Sequence, residues 1–150
     1  MSGTSSGESA GGWPAARTGV AADIFQELRA GGSLLSGVGP DEAAASVLCT
    51  LLGRLELEPA RLLLDALGTE AVQAIGSCPV HGGQTGEAFG GREMLRRVAS
   101  HFDVAPEVVQ PMTAAVLTAI RRRIPAEVAT LIERELPAPI AAMWRGAGAG

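Results

Sequence analysis

The fold is decided by two similar stretches of the chain: residues 47–76, VLCTLLGRLELEPARLLLDALGTEAVQAIG, and residues 116–145, VLTAIRRRIPAEVATLIERELPAPIAAMWR. In each stretch, apolar residues recur every three or four positions, which is the period of a helix with one buried face. The pattern breaks at glycine or proline, the residues that commonly end or begin helices. Both stretches therefore predict helices that pack on a shared core.

A gap-free offset of 69 residues aligns the two stretches as an internal repeat. Seven aligned positions are identical, and pairs such as Leu51 with Ile120 exchange one apolar residue for another. The helix breaks also align, since Gly68 lies opposite Pro137. We expect two copies of a helical hairpin that pack about a pseudo-twofold axis, or by simple stacking, and close one core.

The sequence outside these stretches completes a prediction of about eight helices and no strand. Asp23 is the expected N-cap of the first helix, which Gly31 and Gly32 end, and Asp41 is expected to open the second. The other helices are expected near Pro59, Thr69, Met94, Pro106 or Pro111, Pro125, and Pro137 with Pro139, the last ending near Trp144. The predicted class is all-α, with two pseudo-repeats in one orthogonal, bundle-like domain.

The domain organisation follows from where the helical period starts and stops. Residues 1–21, rich in Ser and Gly, are predicted to be a disordered tail in which Trp13 either packs loosely or forms a docking motif. Residues 22–146 are predicted to form a single helical domain. It divides into repeat one (22–76), a connector (77–91) and repeat two (92–146), followed by a flexible end at 147–150.

Composition bounds the classes of function. The 150 residues carry a net charge of −4, which disfavours nucleic acid and anionic membranes as partners. The longest apolar-rich run, residues 108–120, contains Gln110 and Pro111 and is shorter than the roughly 18 residues of a membrane span. Two cysteines and no visible signal segment favour the cytoplasm. The use of Arg to the exclusion of Lys suggests a bacterial source.

Particular residues in the second half resemble a known family. They are the Met-Leu-Arg-Arg-Val-Ala run from Met94, Ala115-Val116-Leu117, Arg123-Ile124-Pro125, Glu135-Leu136-Pro137 and Trp144-Arg145-Gly146. Together they are similar to the bacterial helical family catalogued as domain of unknown function 2267, over roughly residues 22–146. The resemblance implies tandem helix sets, each with a Leu-Pro near its end. It implies no catalytic residues and no activity.

The candidates for metal or covalent chemistry lie mainly in the connector. Cys78 and His81 have the spacing of half a zinc site, and His101 with Cys49 would be needed to complete it. Cys78 and His81 could instead form a nucleophile–base pair, although no third orienting group accompanies them. Residues 82–86 are rich in glycine but lack the Lys of a phosphate-binding loop. No catalytic residue, metal or cofactor is therefore predicted.

The arginines of the second half are the remaining candidate. Arg121, Arg122 and Arg123 are consecutive at a predicted helix end, where positive charge is favourable. Arg123 aligns with Arg54, so we expect it to pair with Glu127 or to cap the helix end, which leaves Arg121 and Arg122 as the partner-binding residues. The predicted function is a non-catalytic helical interaction or regulatory module with a protein partner. The alternative is a small-molecule or metal-dependent enzyme, or a ligand-binding protein, with a site at the repeat junction.

Overall fold

The computed structural model describes residues 19–75 and 90–146, and within them it confirms the all-α class. These residues form eight α-helices and one 3₁₀ turn, and they contain no strand. The helices are α1 (Val20–Gly31), α2 (Pro40–Arg54), α3 (Leu57–Leu67), α4 (Thr69–Ile75), α5 (Gly91–Ser100), α6 (Gln110–Arg121), α7 (Ala126–Arg134) and α8 (Ala138–Trp144), with the 3₁₀ turn at Pro106–Val109. Trp13 lies outside the described residues.

Two helix starts differ from the sequence prediction. The predicted N-cap at Asp23 was wrong, because α1 begins at Val20, inside the predicted tail, and Asp23 lies in its first turn. Asp41 likewise follows the start of α2, whose N-cap is Gly39. The amide of Gly39 donates to Glu42 Oε1 at 3.0 Å. In both helices a glycine in extended conformation precedes the first turn. The acidic residue lies within that turn, where its negative charge interacts favourably with the positive end of the helix dipole.

The prolines mark the starts of the later helices. Pro106 opens the 3₁₀ turn and Pro111 lies in the first turn of α6, so both predicted alternatives mark a start. Pro125 and Pro137 are the N-cap residues of α7 and α8, with φ of −61° and −62°. Their fixed φ suits an extended residue just before a helix, and the missing N–H is one that a helix start leaves unpaired.

Helices α2 and α6 contact each other and supply much of the buried core. Each has fully buried apolar residues, including Val47 and Leu51 in α2 and Val116 and Ile120 in α6. Helix α1 contacts α2, α4 and α6, while α5 contacts α6, α8 and α2. Helices α3 and α7 contact each other. Each of these contacts has a counterpart when α1 to α4 are replaced in turn by α5 to α8 and vice versa; for example, α1 contacts α6 and α5 contacts α2.

The position between the third and fourth helix of each half is occupied by different residues. Gly68 follows α3 with φ of +93°, a conformation that favours glycine, and its amide donates to Leu64 O at 3.0 Å. Pro137, 69 residues later, has an extended conformation before α8. Helices α4 and α8 nevertheless begin and end 69 residues apart. The two halves therefore reach the same helix boundary through different backbone conformations.

Trp144 joins the last two helices. Its side chain is fully buried, and its Nε1–H donates to Ala129 O at 3.1 Å, so α8 is hydrogen-bonded to α7. A buried indole needs such a partner, since an unpaired N–H would be costly in the core. Within residues 19–75 and 90–146, no helix has both the length and the apolar character needed to cross a membrane.

Candidate functional site

The C-terminal end of α6 carries the predicted partner-binding arginines. Arg121 and Arg122 are exposed, whereas Arg123 is only partly exposed. Successive helical side chains point about 100° apart, so the three guanidinium groups diverge. Arg121 has no ion pair within the part of the chain that the structure describes. The structure thus places Arg121 and Arg122 on the surface at one helix end, with different surroundings.

Glu27 of α1 accounts for that difference. Its Oε2 lies 2.9 Å from Arg122 Nη1, and its Oε1 lies 2.7 Å from Arg123 Nη1. Glu27 has a side-chain exposure of 25%, against 63% for Arg122, so the carboxylate lies deeper than the guanidinium that faces solvent. The contact joins α1 to the end of α6, and Arg122 keeps an open side.

Arg123 has a structural role. Its Nη1 also donates to Ala119 O at 3.0 Å, at the end of α6, so the helix-capping alternative predicted from the sequence is confirmed. Its ion pair is with Glu27, and the predicted pairing with Glu127 was wrong. Sequence reasoning missed Glu27, which precedes Arg122 by 95 residues and carries no local signal of the contact.

Three other arginines of the second half form ion pairs with nearby carboxylates. On α5, Glu93 accepts hydrogen bonds from Arg96 Nη2 at 2.8 Å and Arg97 Nε at 3.0 Å. These bonds, that from Arg96 first, lower the pKa of Glu93, and Glu93 in turn raises the pKa of Arg96. Arg145 forms an ion pair with Glu133 at 2.8 Å. Arg96, Arg97 and Arg145 are therefore each paired with a carboxylate of the same half.

A surface groove lies at the opposite end of α6. Its volume is about 330 Å³, and it is lined by Ser33, Glu107, Gln110, Pro111, Ala114, Ala115 and Met143. Ser33 belongs to the loop after α1, Glu107 to the 3₁₀ turn, and Met143 to α8. The groove thus lies at the junction of the two halves, where the sequence alternative expected a ligand site. None of its residues was singled out from the sequence, because no spacing rule brings them together.

The buried polar side chains of the described residues are three hydroxyls, of Ser46, Thr50 and Thr113. Ser46 Oγ donates to Ala43 O and Thr50 Oγ1 to Ser46 O, each at 2.9 Å, which satisfies both within α2. Thr113 Oγ1 is fully buried and has no hydrogen-bond partner among the residues that the structure describes. In the described core, then, the buried polar side chains are hydroxyls, with no carboxylate or imidazole among them.

The residues considered for metal chemistry are spread over the chain. Cys49 is half-buried on α2. His101 follows α5, and its Nδ1 lies 2.9 Å from Arg97 O. Cys78, His81 and the glycine-rich residues 82–86 lie outside the described residues, so the structure does not test them. Among the residues it does describe, no three His, Cys, Asp or Glu side chains converge as a metal site would require.

The fold and its surface define an all-helical domain with an arginine-bearing helix end and a small groove. The family model described as "Uncharacterized conserved protein (DUF2267)" matches residues 23–147, and the chain belongs to this family. This finding confirms the resemblance drawn from the sequence motifs. Neither a curated protein nor a solved structure was found to match the chain.

Proposed function

We propose that this protein is a non-catalytic helical interaction module of the bacterial cytoplasm, which binds an acidic protein partner through Arg121 and Arg122. The observation that carries the proposal is that two adjacent arginines are exposed at one helix end. Arg121 forms no ion pair among the described residues, and Arg122 forms one with Glu27 on a single side of its guanidinium group. A planar guanidinium group binds a carboxylate through two parallel hydrogen bonds. Such a surface suits a partner rich in Asp and Glu.

The proposal includes an internal duplication of one four-helix unit. It is supported by the equal spacing of α4 and α8 and by contacts that survive exchange of the halves. On this alignment Arg121 and Arg122 correspond to Leu52, which is half-buried, and to the buried Gly53. Because the fold accepts Leu and Gly at those positions, the arginines are not needed for helix packing. They are therefore available for binding.

Glu27 shapes how a partner would bind. Its carboxylate already occupies one side of Arg122, so an incoming acidic group meets Arg121 first and shares Arg122. A preformed ion pair also restricts the Arg122 side chain, which lowers the entropy lost when a partner binds. The interaction should weaken with salt, because contacts between exposed charges are screened. We therefore expect the acidic partner to bind at Arg121 and Arg122 with modest affinity.

The interior supports a non-catalytic role. An enzyme built in a helical bundle usually directs several acidic or His side chains inward from facing helices. The buried polar groups in residues 19–75 and 90–146 are three hydroxyls, two of them engaged within α2. The described core is therefore suited to stability, and the recognisable chemistry lies on its surface.

The test compares binding of a fluorescent glutamate-rich peptide by wild type, the single variant Arg121→Glu and the double variant Arg121→Glu with Arg122→Glu. Loss of two charge-assisted hydrogen-bond sites should weaken binding by at least about tenfold in the double variant. The matched control reverses two other exposed arginines, Arg61 and Arg92, and so changes net charge equally. It should bind within about twofold of wild type, as expected for screened distant charges.

The single variant guards against a structural explanation. Arg122→Glu brings a second carboxylate toward Glu27, whereas Arg121→Glu disturbs no ion pair within the described residues. The melting temperature of Arg121→Glu should fall only by the small amount that a reversed charge at a helix C-terminus costs, while its peptide affinity falls clearly. If the double variant bound the peptide as tightly as wild type, or if the Arg61 and Arg92 control weakened binding equally, the end of α6 would not be the binding surface.

A further inference from the structure

The groove at the start of α6 has an apolar floor on two packed helices. Ala114 and Met143 are each 4% exposed, and half-buried Ala115 completes the floor. Helices α6 and α8 contact each other, and Thr118 Oγ1 donates to Met143 O at 3.5 Å. The two alanines leave room that larger side chains would fill. A floor built on helices keeps its shape better than one built on loops.

The polar groups of the groove lie along its rim. Among the described residues that line it, Glu107 alone has an ionisable side chain, and Gln110 and Ser33 add an amide and a hydroxyl. Glu107 is exposed and forms no ion pair within the described parts of the chain. The groove therefore presents one unpaired negative charge beside an apolar surface.

We propose that this groove binds a small alkylammonium compound. The alkyl chain would lie on Ala114, Ala115 and Met143, and the ammonium group would be held by the Glu107 carboxylate and the Gln110 amide oxygen. The volume of about 330 Å³ lies at the lower end of the range for small-molecule sites, which suits a short aliphatic ligand. An anionic head group would be repelled by Glu107, and a neutral one would gain no ion pair.

This site goes beyond the proposed partner surface and is separate from it. Pro111 in the groove and Arg121 at the far end of α6 are about 15 Å apart along the helix axis. An acidic partner at the arginines would not fill the groove, and a cation in the groove would not touch the arginines. The two proposals can therefore fail independently, and the Arg121→Glu, Arg122→Glu variant should bind the cation as wild type does.

The experiment titrates ¹⁵N-labelled protein with three matched probes, hexylammonium, hexanol and hexanoate, and follows amide shifts by NMR. Hexylammonium should give saturable shifts centred on Glu107, Gln110 and Ala115, hexanol should bind more weakly, and hexanoate most weakly. Glu107→Gln should weaken hexylammonium binding by about threefold, the size expected for an exposed charge pair, and leave hexanol unchanged. Glu127→Gln, another exposed carboxylate, is the control and should change neither.

A second variant tests the floor. Ala115→Leu should fill the groove and abolish the shifts from both hexylammonium and hexanol, while Ala45→Leu, at a half-buried position on α2, should retain them. Equal binding of hexanoate and hexylammonium, or an unchanged affinity in Glu107→Gln, would overturn the proposal. So would shifts centred away from the groove. Nα-acetyl-lysine methylamide keeps its ε-ammonium group and mimics a lysine within a polypeptide. Tighter binding of this compound than of hexylammonium would identify a lysine side chain as the ligand and overturn the small-molecule assignment.

Discussion

The two halves of the molecule carry similar residues at their matched buried positions and different residues at less buried ones. Val47 and Val116 are both fully buried, as are Leu51 and Ile120 at the next matched positions. At a less buried position of the same two helices, the half-buried Leu52 corresponds to the exposed Arg121. Packing restricts the buried positions, because a change of even one methylene is felt in a close-packed core. Arg121 and Arg122 thus lie at exposed positions, where packing restricts the choice of residue less.

The largest expected effect tests whether the matched core positions are equivalent. Leu48→Ala and Leu117→Ala remove side chains that are 3% and 0% exposed, and each should lower the free energy of unfolding by roughly 2–5 kcal/mol. Denaturant titration of the two variants measures both values. A nearly silent change at either site would show that the matched positions do not share a core, and the comparison of the halves would break there.

The next effect concerns the position where the halves use different residues. Gly68→Pro copies the second half into the first, but proline cannot adopt φ of +93° and lacks the amide that donates to Leu64 O. We expect a loss of about 3 kcal/mol in unfolding free energy. A Cβ at Gly68 would meet no atom within 4 Å, so Gly68→Ala should cost about 1–3 kcal/mol through backbone strain alone.

The reciprocal variant sharpens this contrast. Pro137→Gly should lose only about 0.4–1 kcal/mol, because it mainly increases the conformational freedom of the unfolded chain. Urea unfolding of the three variants gives the order directly. A Gly68→Pro protein as stable as wild type would mean that the two helix boundaries have interchangeable backbone conformations.

A smaller effect is expected at the buried hydroxyl of the second half. Thr113 Oγ1 has no hydrogen-bond partner within residues 19–75 and 90–146, whereas the matched residue Ala44 is equally buried and has no polar side-chain atom. Thr113→Val removes the unpaired hydroxyl at similar volume and should stabilise the protein by about 1 kcal/mol. Ala44→Thr should have the opposite sign. Thermal melts of both variants decide the matter, and destabilisation by Thr113→Val would reveal a role for the hydroxyl.

The smallest effect depends on pH and is confined to α5. Hydrogen bonds from Arg96 and Arg97 lower the pKa of Glu93 below its ordinary value of 4.5. A carboxyl group whose pKa is lower in the folded state than in the unfolded state stabilises the fold at a pH above its unfolded-state pKa. That contribution is lost as the pH falls through its folded-state pKa. Glu93→Gln should therefore reduce the dependence of stability on pH below 4.5 and leave other regions of the pH curve unchanged. Arg96→Gln should act in the same direction.

The fold could be read from the sequence because its signals are local. The helical period, the glycine at position 68 and the prolines at 106, 111, 125 and 137 mark element boundaries through the backbone conformations that these residues allow or forbid. The prediction of Asp23 as an N-cap was wrong because an acidic side chain is favourable both at the N-cap and within the first turn of a helix. Local preference alone does not separate the two.

The site was accessible only in part. The run Arg121 to Arg123 is visible in the sequence, and helical geometry alone requires the three side chains to diverge. What distinguishes them is Glu27, whose carboxylate reaches Arg122 and Arg123 only because α1 packs against α6. No periodicity or spacing encodes a contact across 95 residues. The division of the arginines into one open, one shared and one structural group is a tertiary property.

The sequence by itself determined the helices, their breaks and the apolar face of each, because these depend on the backbone freedom and hydrophobicity of neighbouring residues. The tertiary structure alone decided that Ser33, Glu107, Ala115 and Met143 line one groove and that the Thr113 hydroxyl is buried without a hydrogen-bond partner in the described part of the chain. Both outcomes depend on how the eight described helices pack around their core. Packing is collective, so each side chain's surroundings come from residues distant in the chain, which local patterns do not specify.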